Sequence, residues 1–167
     1  LTKHLLSVET DPARRAYILN HFLEGFRTTV FRQTLFAEFE REAHKVYDRG
    51  EPLTPKALNA IYRRLNEVYY KGAVVDELQD IEWARIPHFY NAFYVYQYAT
   101  GFSSAVAIAN NILQSGSADL RFLTTGGSDY PLNELRIAGV DLEKPDTVRN
   151  AMQVFAQSLD ELEALLH

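Results

Sequence analysis

The sequence predicts an all-α protein, a helical bundle with long helices and short connections. Three observations carry the prediction. Helix-start signals recur, with a capping residue before proline at Thr10-Asp11-Pro12 and again at Thr54-Pro55. Between such signals, apolar residues return mostly at steps of three and four, the period of one helix face. Stretches with strand-like alternation are nearly lacking.

The first element is a long helix over about 12–49, bent near Gly25 and stopped by Arg49-Gly50. Its apolar positions Phe22, Phe26, Val30, Leu35, Phe39 and Val46 step by three or four, with one five and one seven. The second helix begins at Pro55, shows a face of Leu58, Ile61, Leu65, Val68 and Tyr69, and ends at Lys71-Gly72. Residues 73–86 read as a loop with a short helical turn. A third helix is predicted from Pro87 to Ser115-Gly116, with small residues at Gly101, Ser104, Ala105 and Ala109 that suit close helix approach. Ser117 can cap a short helix through Phe122 and Leu123, and another runs from Tyr130-Pro131 to Gly139. The last helix opens at Pro145 and carries the stripe Val148, Met152, Phe155, Leu159, Leu162, Leu166. With no internal repeat and no low-complexity segment, residues 1–167 read as a single helical domain.

Composition narrows the function. The chain has 167 residues, 47% hydrophobic and 23% charged, which is a globular balance. A formal net charge of -5 without a basic stripe argues against nucleic acid and against an anionic membrane surface. The absence of cysteine excludes disulfides and thiolate chemistry and fits a cytoplasmic location. No apolar run reaches the roughly 18 residues of a spanning helix. The opening Leu1-Thr2-Lys3-His4-Leu5-Leu6 is no signal peptide, and a start on Leu rather than Met points to a piece of a longer protein.

Metal and nucleophile chemistry find little support. The five histidines form no His-x-x-x-His pair and no HExxH motif. Glu42 and His44 are two apart, on different helix faces, and His21 with Glu24 makes only two ligands of the three or so that zinc needs. Ser103-Ser104 lies inside a helix without a Gly-x-Ser-x-Gly elbow, and Gly126-Gly127 reads as a turn.

The stretch from Trp83 to Gly101 is different. Pro87 puts His88 at the start of the predicted helix, and Tyr90, Tyr94 and Tyr98 follow at steps of four along one face. Tyr96 would point roughly 160° away from Tyr94. Phenols near an imidazole suit recognition of peptide carbonyls or stabilisation of an oxyanion. The same pattern also fits an aromatic core with tyrosine hydroxyls at its rim. Arg85 can hold a peptide carboxylate, or be a solvated surface arginine.

Four segments carry a family resemblance. "IPHFYNAFYVYQYATG" resembles the C-terminal signature of the oligoendopeptidase F family of zinc oligopeptidases, thimet-type relatives included. "FRTTVFRQTLFAEFE" (Phe26–Glu40), "NEVYYKGAVVDE" (Asn66–Glu77) and "LRIAGVDLEKPDTVRNAM" (Leu135–Met152) are similar to it in the same order. The resemblance implies the C-terminal lobe of a zincin-type oligopeptidase, acting on short peptides. It places the HExxH-bearing part, and its zinc, upstream of Leu1, so the chain itself is expected to supply no metal ligand and to be inactive alone. Carried over, His88, Tyr94 and Tyr96 are the implied catalytic residues, with either Tyr94 or Tyr96 as oxyanion donor, and Tyr90 and Arg85 as substrate-binding residues. The rival reading is a stand-alone helical module whose aromatic groove binds a peptide or a partner helix. A separated lobe would also be expected to self-associate through uncovered apolar surface.

Overall fold

A computed structural model of the chain describes residues 1–115 and 121–167. They are mostly helical, with no strand among the described residues. The chain divides into two compact units, one of residues 1–30 with 100–167 and the other of residues 31–99.

The first unit begins with α1 (Thr2–Val8), a short helix that the apolar spacing did not announce. It leads into α2 (Pro12–Phe26), where the Asp11 side chain accepts from the Arg14 N–H at 2.9 Å. Arg15 ties the corner by donating to the carbonyls of Leu6 and Glu9 and by pairing with Glu161. α2 packs on α8 (Asp146–Leu166). The buried face of α8 is Thr147, Ala151, Val154 and Ser158, one position behind the predicted stripe. Leu159 and Leu166 of that stripe remain exposed. The reason is steric: small side chains let Leu19, Leu23 and Phe26 of α2 settle close against the backbone of α8, with Phe26 reaching Phe155 at 5.4 Å between ring centroids. α6 (Phe122–Thr125) and α7 (Pro131–Ile137) follow the predicted short helices, whereas Gly116 and the proposed Ser117 cap lie outside the described residues.

Residues 27–31 form one π-helical turn between α2 and α3 (Arg32–Asp48), so Pro12–Asp48 is an uninterrupted helical run. The extra residue of a π turn rotates the apolar face, which accounts for the five-residue step from Val30 to Leu35. The π turn begins two residues after Gly25, where the sequence suggested a bend.

The second unit packs α3 against α4 (Pro55–Tyr69), whose Thr54 cap accepts from Ala57 at 3.2 Å. Leu35, Phe36, Phe39, Tyr62 and Leu65 form its core, closed by Ile86 and Val95. Residues 77–85 form the predicted short turn as a 3-10 segment, fastened by polar bonds on one side. Trp83 donates its indole N–H to Asn59 at 2.8 Å and Arg63 pairs with Asp80 at 2.8 Å, while Tyr69 of α4 donates to Glu38 of α3 at 2.8 Å. Glu82 is the centre: it accepts from Arg32 at 2.6 Å and from the Tyr62 hydroxyl at 2.6 Å, and also pairs with Arg85. Burial opposes ionisation of Glu82, but the hydrogen bonds from Arg32 and Tyr62 outweigh it and hold the carboxyl below the usual range. Burial first, and Glu82 second, push the Tyr62 phenol well up.

A depressed carboxyl stabilises the fold above its unfolded pKa, and the contribution is lost as pH falls through the folded value. Glu82→Gln should therefore cost about 3 kcal/mol at pH 7, since a buried pair is broken on one side. The deficit should shrink at pH 3. Urea unfolding followed by fluorescence of Trp83, the single tryptophan of the chain, checks both points.

Candidate functional site

The aromatic segment does not form the predicted helix from Pro87. A 3-10 turn covers Pro87–Tyr90, the chain then opens, and α5 (Tyr96–Ser115) starts nine residues later than expected. Two causes act together. The run Phe89-Tyr90-Asn91 is poor in strong helix formers. Phe93 takes a left-handed conformation, φ 59°, which ends any helix there. The backbone N–H of Phe93 donates to Glu40 Oε1 at 2.6 Å, and Glu40 on α3 is only 5% exposed. His44, one turn further along α3, lays its ring against that of Phe93 at 4.7 Å and has Nδ1 2.8 Å from the Glu40 carbonyl. A buried side chain thus holds the turn in a backbone state that phenylalanine rarely adopts.

The turn sorts the segment by side. Ile86, Phe89 and Val95 point into the core, with Phe89 packed on Phe36 and Phe39. Tyr90, Tyr94 and Tyr96 are on the surface, at 90%, 37% and 52% exposure. Tyr62, from outside the segment, is the tyrosine sealed in the core. The predicted single stripe of Tyr90, Tyr94 and Tyr98 therefore does not exist, because only Tyr98 belongs to α5, and the helical angle between Tyr94 and Tyr96 has no meaning here.

Three rings meet. Tyr94 stacks on His88 at 5.6 Å and 20°, and Tyr98 meets the His88 ring edge-on at 5.8 Å and 87°. Tyr94 and Tyr98 lie 5.7 Å apart at 73°. The Tyr98 hydroxyl is 3.3 Å from His88 Nε2. The Tyr94 hydroxyl beside it pushes the Tyr98 phenol above its ordinary value. Of the predicted residues, His88 and Tyr94 come together in this cluster. Tyr96 stands in the first turn of α5 and Tyr90 at the end of the 3-10 turn. Arg85 is exposed and pairs with Glu82. Tyr98 was missed as a site residue, since on a continuous helix it lies nearly three turns from His88. The buried Glu40 was missed too, and only an acidic residue between the apolar positions Phe39 and Val46 could have pointed to it.

Chemically the cluster is a set of hydrogen-bond donors at a surface, supported by a packed floor. Among the described residues, no three histidine or acidic side chains converge as a metal site would need. No helix among them is long and apolar enough to cross a membrane.

Known proteins resemble the chain closely. Residues 1–154 match the model of peptidase family M3, and the chain belongs to that family. Within it the chain is similar to the oligopeptidase PepF of Bacillus subtilis, 48% identical over 99% of this chain and 26% of the relative. It is 46% identical to the chromosomal oligoendopeptidase F of Lactococcus lactis subsp. cremoris, over 99% of this chain and 28% of the relative. The crystal structure of oligoendopeptidase-F from Enterococcus faecium superposes with a TM-score of 0.95 at 48% identity, covering 99% of this chain and 33% of that one. The chain thus spans roughly a quarter to a third of the length of these proteins.

Replacing Glu40 by Ala should expose the Phe93 N–H and cost about 1–3 kcal/mol, the penalty of an orphaned donor. Hydrogen exchange at the Phe93 amide should quicken more than at the amides of α4. Equal quickening in both places would mean that Glu40 supports the whole unit rather than the turn.

Proposed function

We propose that this chain is the substrate-facing part of a zinc oligopeptidase of the oligoendopeptidase F type, which hydrolyses peptide bonds in short peptides in the cytoplasm. The observation that carries the reading is the half-buried His88–Tyr94–Tyr98 cluster, open to solvent at Tyr94, on a chain that belongs to a peptidase family. The three rings contact one another at the edge of the unit, whereas Phe36, Phe39 and Tyr62 are buried in its core. The zinc of the whole protein is assigned to an HExxH-bearing part upstream of Leu1, as the family resemblance implies. That part is the principal partner of this chain, and the separated chain is expected to be inactive. The rival reading, a stand-alone binding module, is disfavoured by relatives that are peptidases over several times this length.

The residues act as donors. An amide carbonyl oxygen gains negative charge as its carbon is attacked, and a donor about 3 Å away stabilises the change. We assign that donor role to His88 and either Tyr94 or Tyr96, and their lying on or beside the same turn supports the assignment. Tyr90, the most exposed of the phenols, suits a contact with the peptide further from the reacting bond. Arg85 keeps most of its guanidinium in solvent, at 69% exposure, and can meet a peptide carboxylate while still paired with Glu82.

In the intact enzyme, His88→Ala and Tyr96→Phe should each lower kcat by about 10²-fold, with bound zinc unchanged by metal analysis. Normal turnover in both would remove them from the chemistry. Separated from its upstream part, the chain should self-associate through exposed side chains such as Val74, Leu78 and Ile81. Size-exclusion chromatography that returned a monomer at every concentration would contradict this.

A further inference from the structure

We infer that Tyr98 is a positioning residue that holds His88 in its Nδ1–H tautomer, so that Nδ1 rather than Nε2 is the nitrogen carrying a proton for donation. The imidazole is restrained on two sides. Tyr94 covers one face of the ring, nearly parallel at 20°, and Tyr98 stands perpendicular to it with the hydroxyl 3.3 Å from Nε2. A half-turn of the ring about χ2 would bring a carbon to the position of Nε2 and lose that hydrogen bond. Orientation and tautomer are therefore set together.

The direction of the bond follows from the two groups. A phenol hydroxyl is a strong donor, and its oxygen is a poor acceptor because a lone pair is shared with the ring. The unprotonated nitrogen of imidazole holds an in-plane lone pair and is a strong acceptor. The favourable pairing is Tyr98 O–H to Nε2, which leaves the single imidazole proton on Nδ1. Tyr98 has a second neighbour in the Tyr94 hydroxyl, but a phenol oxygen accepts less well than imidazole nitrogen. The Tyr94 hydroxyl also raises the pKa of Tyr98, so the phenol keeps its proton at neutral pH. A free neutral imidazole prefers the Nε2–H form, so Tyr98 selects the form that is rarer in solution.

That Nδ1–H is offered to a peptide rests on the function proposed above; the tautomer does not. The test begins with the whole protein labelled with 15N in its histidine rings, at a pH near 8.5, where exposed imidazoles are neutral. Long-range 1H–15N correlation distinguishes a protonated from an unprotonated nitrogen, and His88→Gln identifies the resonances. His88 should show an unprotonated Nε2, and Tyr98→Phe should move the pattern toward Nε2–H. A wild-type spectrum with Nε2–H at His88 overturns the inference by itself, even if Tyr98→Phe fails to fold. An unchanged pattern in a folded Tyr98→Phe overturns it as well.

Kinetics add a second arm. Tyr98→Phe should lower kcat/KM about tenfold, as removal of a histidine's orienting partner does elsewhere. It should cost nothing further in a His88→Ala background, because the two residues act as one unit. Full activity of His88→Ala would remove His88 from the proposed chemistry and leave the tautomer to the spectra. A slow His88→Ala beside a fully active Tyr98→Phe would end this inference and leave the proposed function standing.

Discussion

The site depends on one hydrogen bond, from the backbone N–H of Phe93 to the buried side chain of Glu40. Left-handed backbone costs a residue with a Cβ about 1 kcal/mol or more, so Phe93 stays there only because something outside the segment favours it. Glu40 does so from α3, at a depth where a lost acceptor could not readily be replaced by water. With φ fixed at 59°, the chain reverses between Phe89 and Val95, and both can be anchors of the same core. The reversal brings Tyr94 over the ring of His88 and lets α5 begin where Tyr98 reaches the same imidazole. Had the helix continued from Pro87, one turn would have carried Phe93 away from Glu40 and left a polar group buried without a partner.

The helical class, most helix starts and the α4 face were legible because each rests on local chemistry: a cap, a proline, a period. The π turn was legible in part, since the five-residue step from Val30 to Leu35 is its signature. The α8 face was misread for a physical reason. Bulk marks burial only where there is room, and against α2 the small residues Ala151 and Ser158 face inward while Leu159 is turned out. The aromatic segment was misread because the deciding residue, Glu40, lies 53 positions away from Phe93. No window of helical period contains a contact of that range. His88 and Tyr94 meet through the open turn, although no continuous helix from Pro87 joins them.

The floor beneath the rings is unusually polar at its edge. Glu82 joins α3, α4 and the 3-10 segment through Arg32, Tyr62 and Arg85, and bonds from Asn59 and Arg63 fasten the same segment again. Apolar contacts could hold residues 77–85 against α4, but with little preference for one register over its neighbours. Hydrogen bonds with fixed partners remove that freedom, because a shift of one residue would leave Glu82 and Asp80 buried without their cations. Since Ile86 and Pro87 follow directly, the register of the 3-10 segment is passed to His88.

Rigid placement and solvent exposure usually compete, because exposed aromatic rings have few neighbours to hold them. Here the conflict is resolved by dividing the work along the chain. Ile86, Phe89 and Val95 take the burial, and the rings of His88, Tyr94 and Tyr98 are restrained by one another. Three mutually contacting rings lose side-chain freedom before any ligand arrives, so a ligand that hydrogen-bonds to them need not supply that ordering itself. The rings are thereby set in advance of any binding, while Tyr94 keeps part of its surface in solvent. A covered tyrosine core would have given the rigidity without the access, and a freely rotating surface histidine the access without the direction. The conformation of Phe93 is what allows this segment to have both.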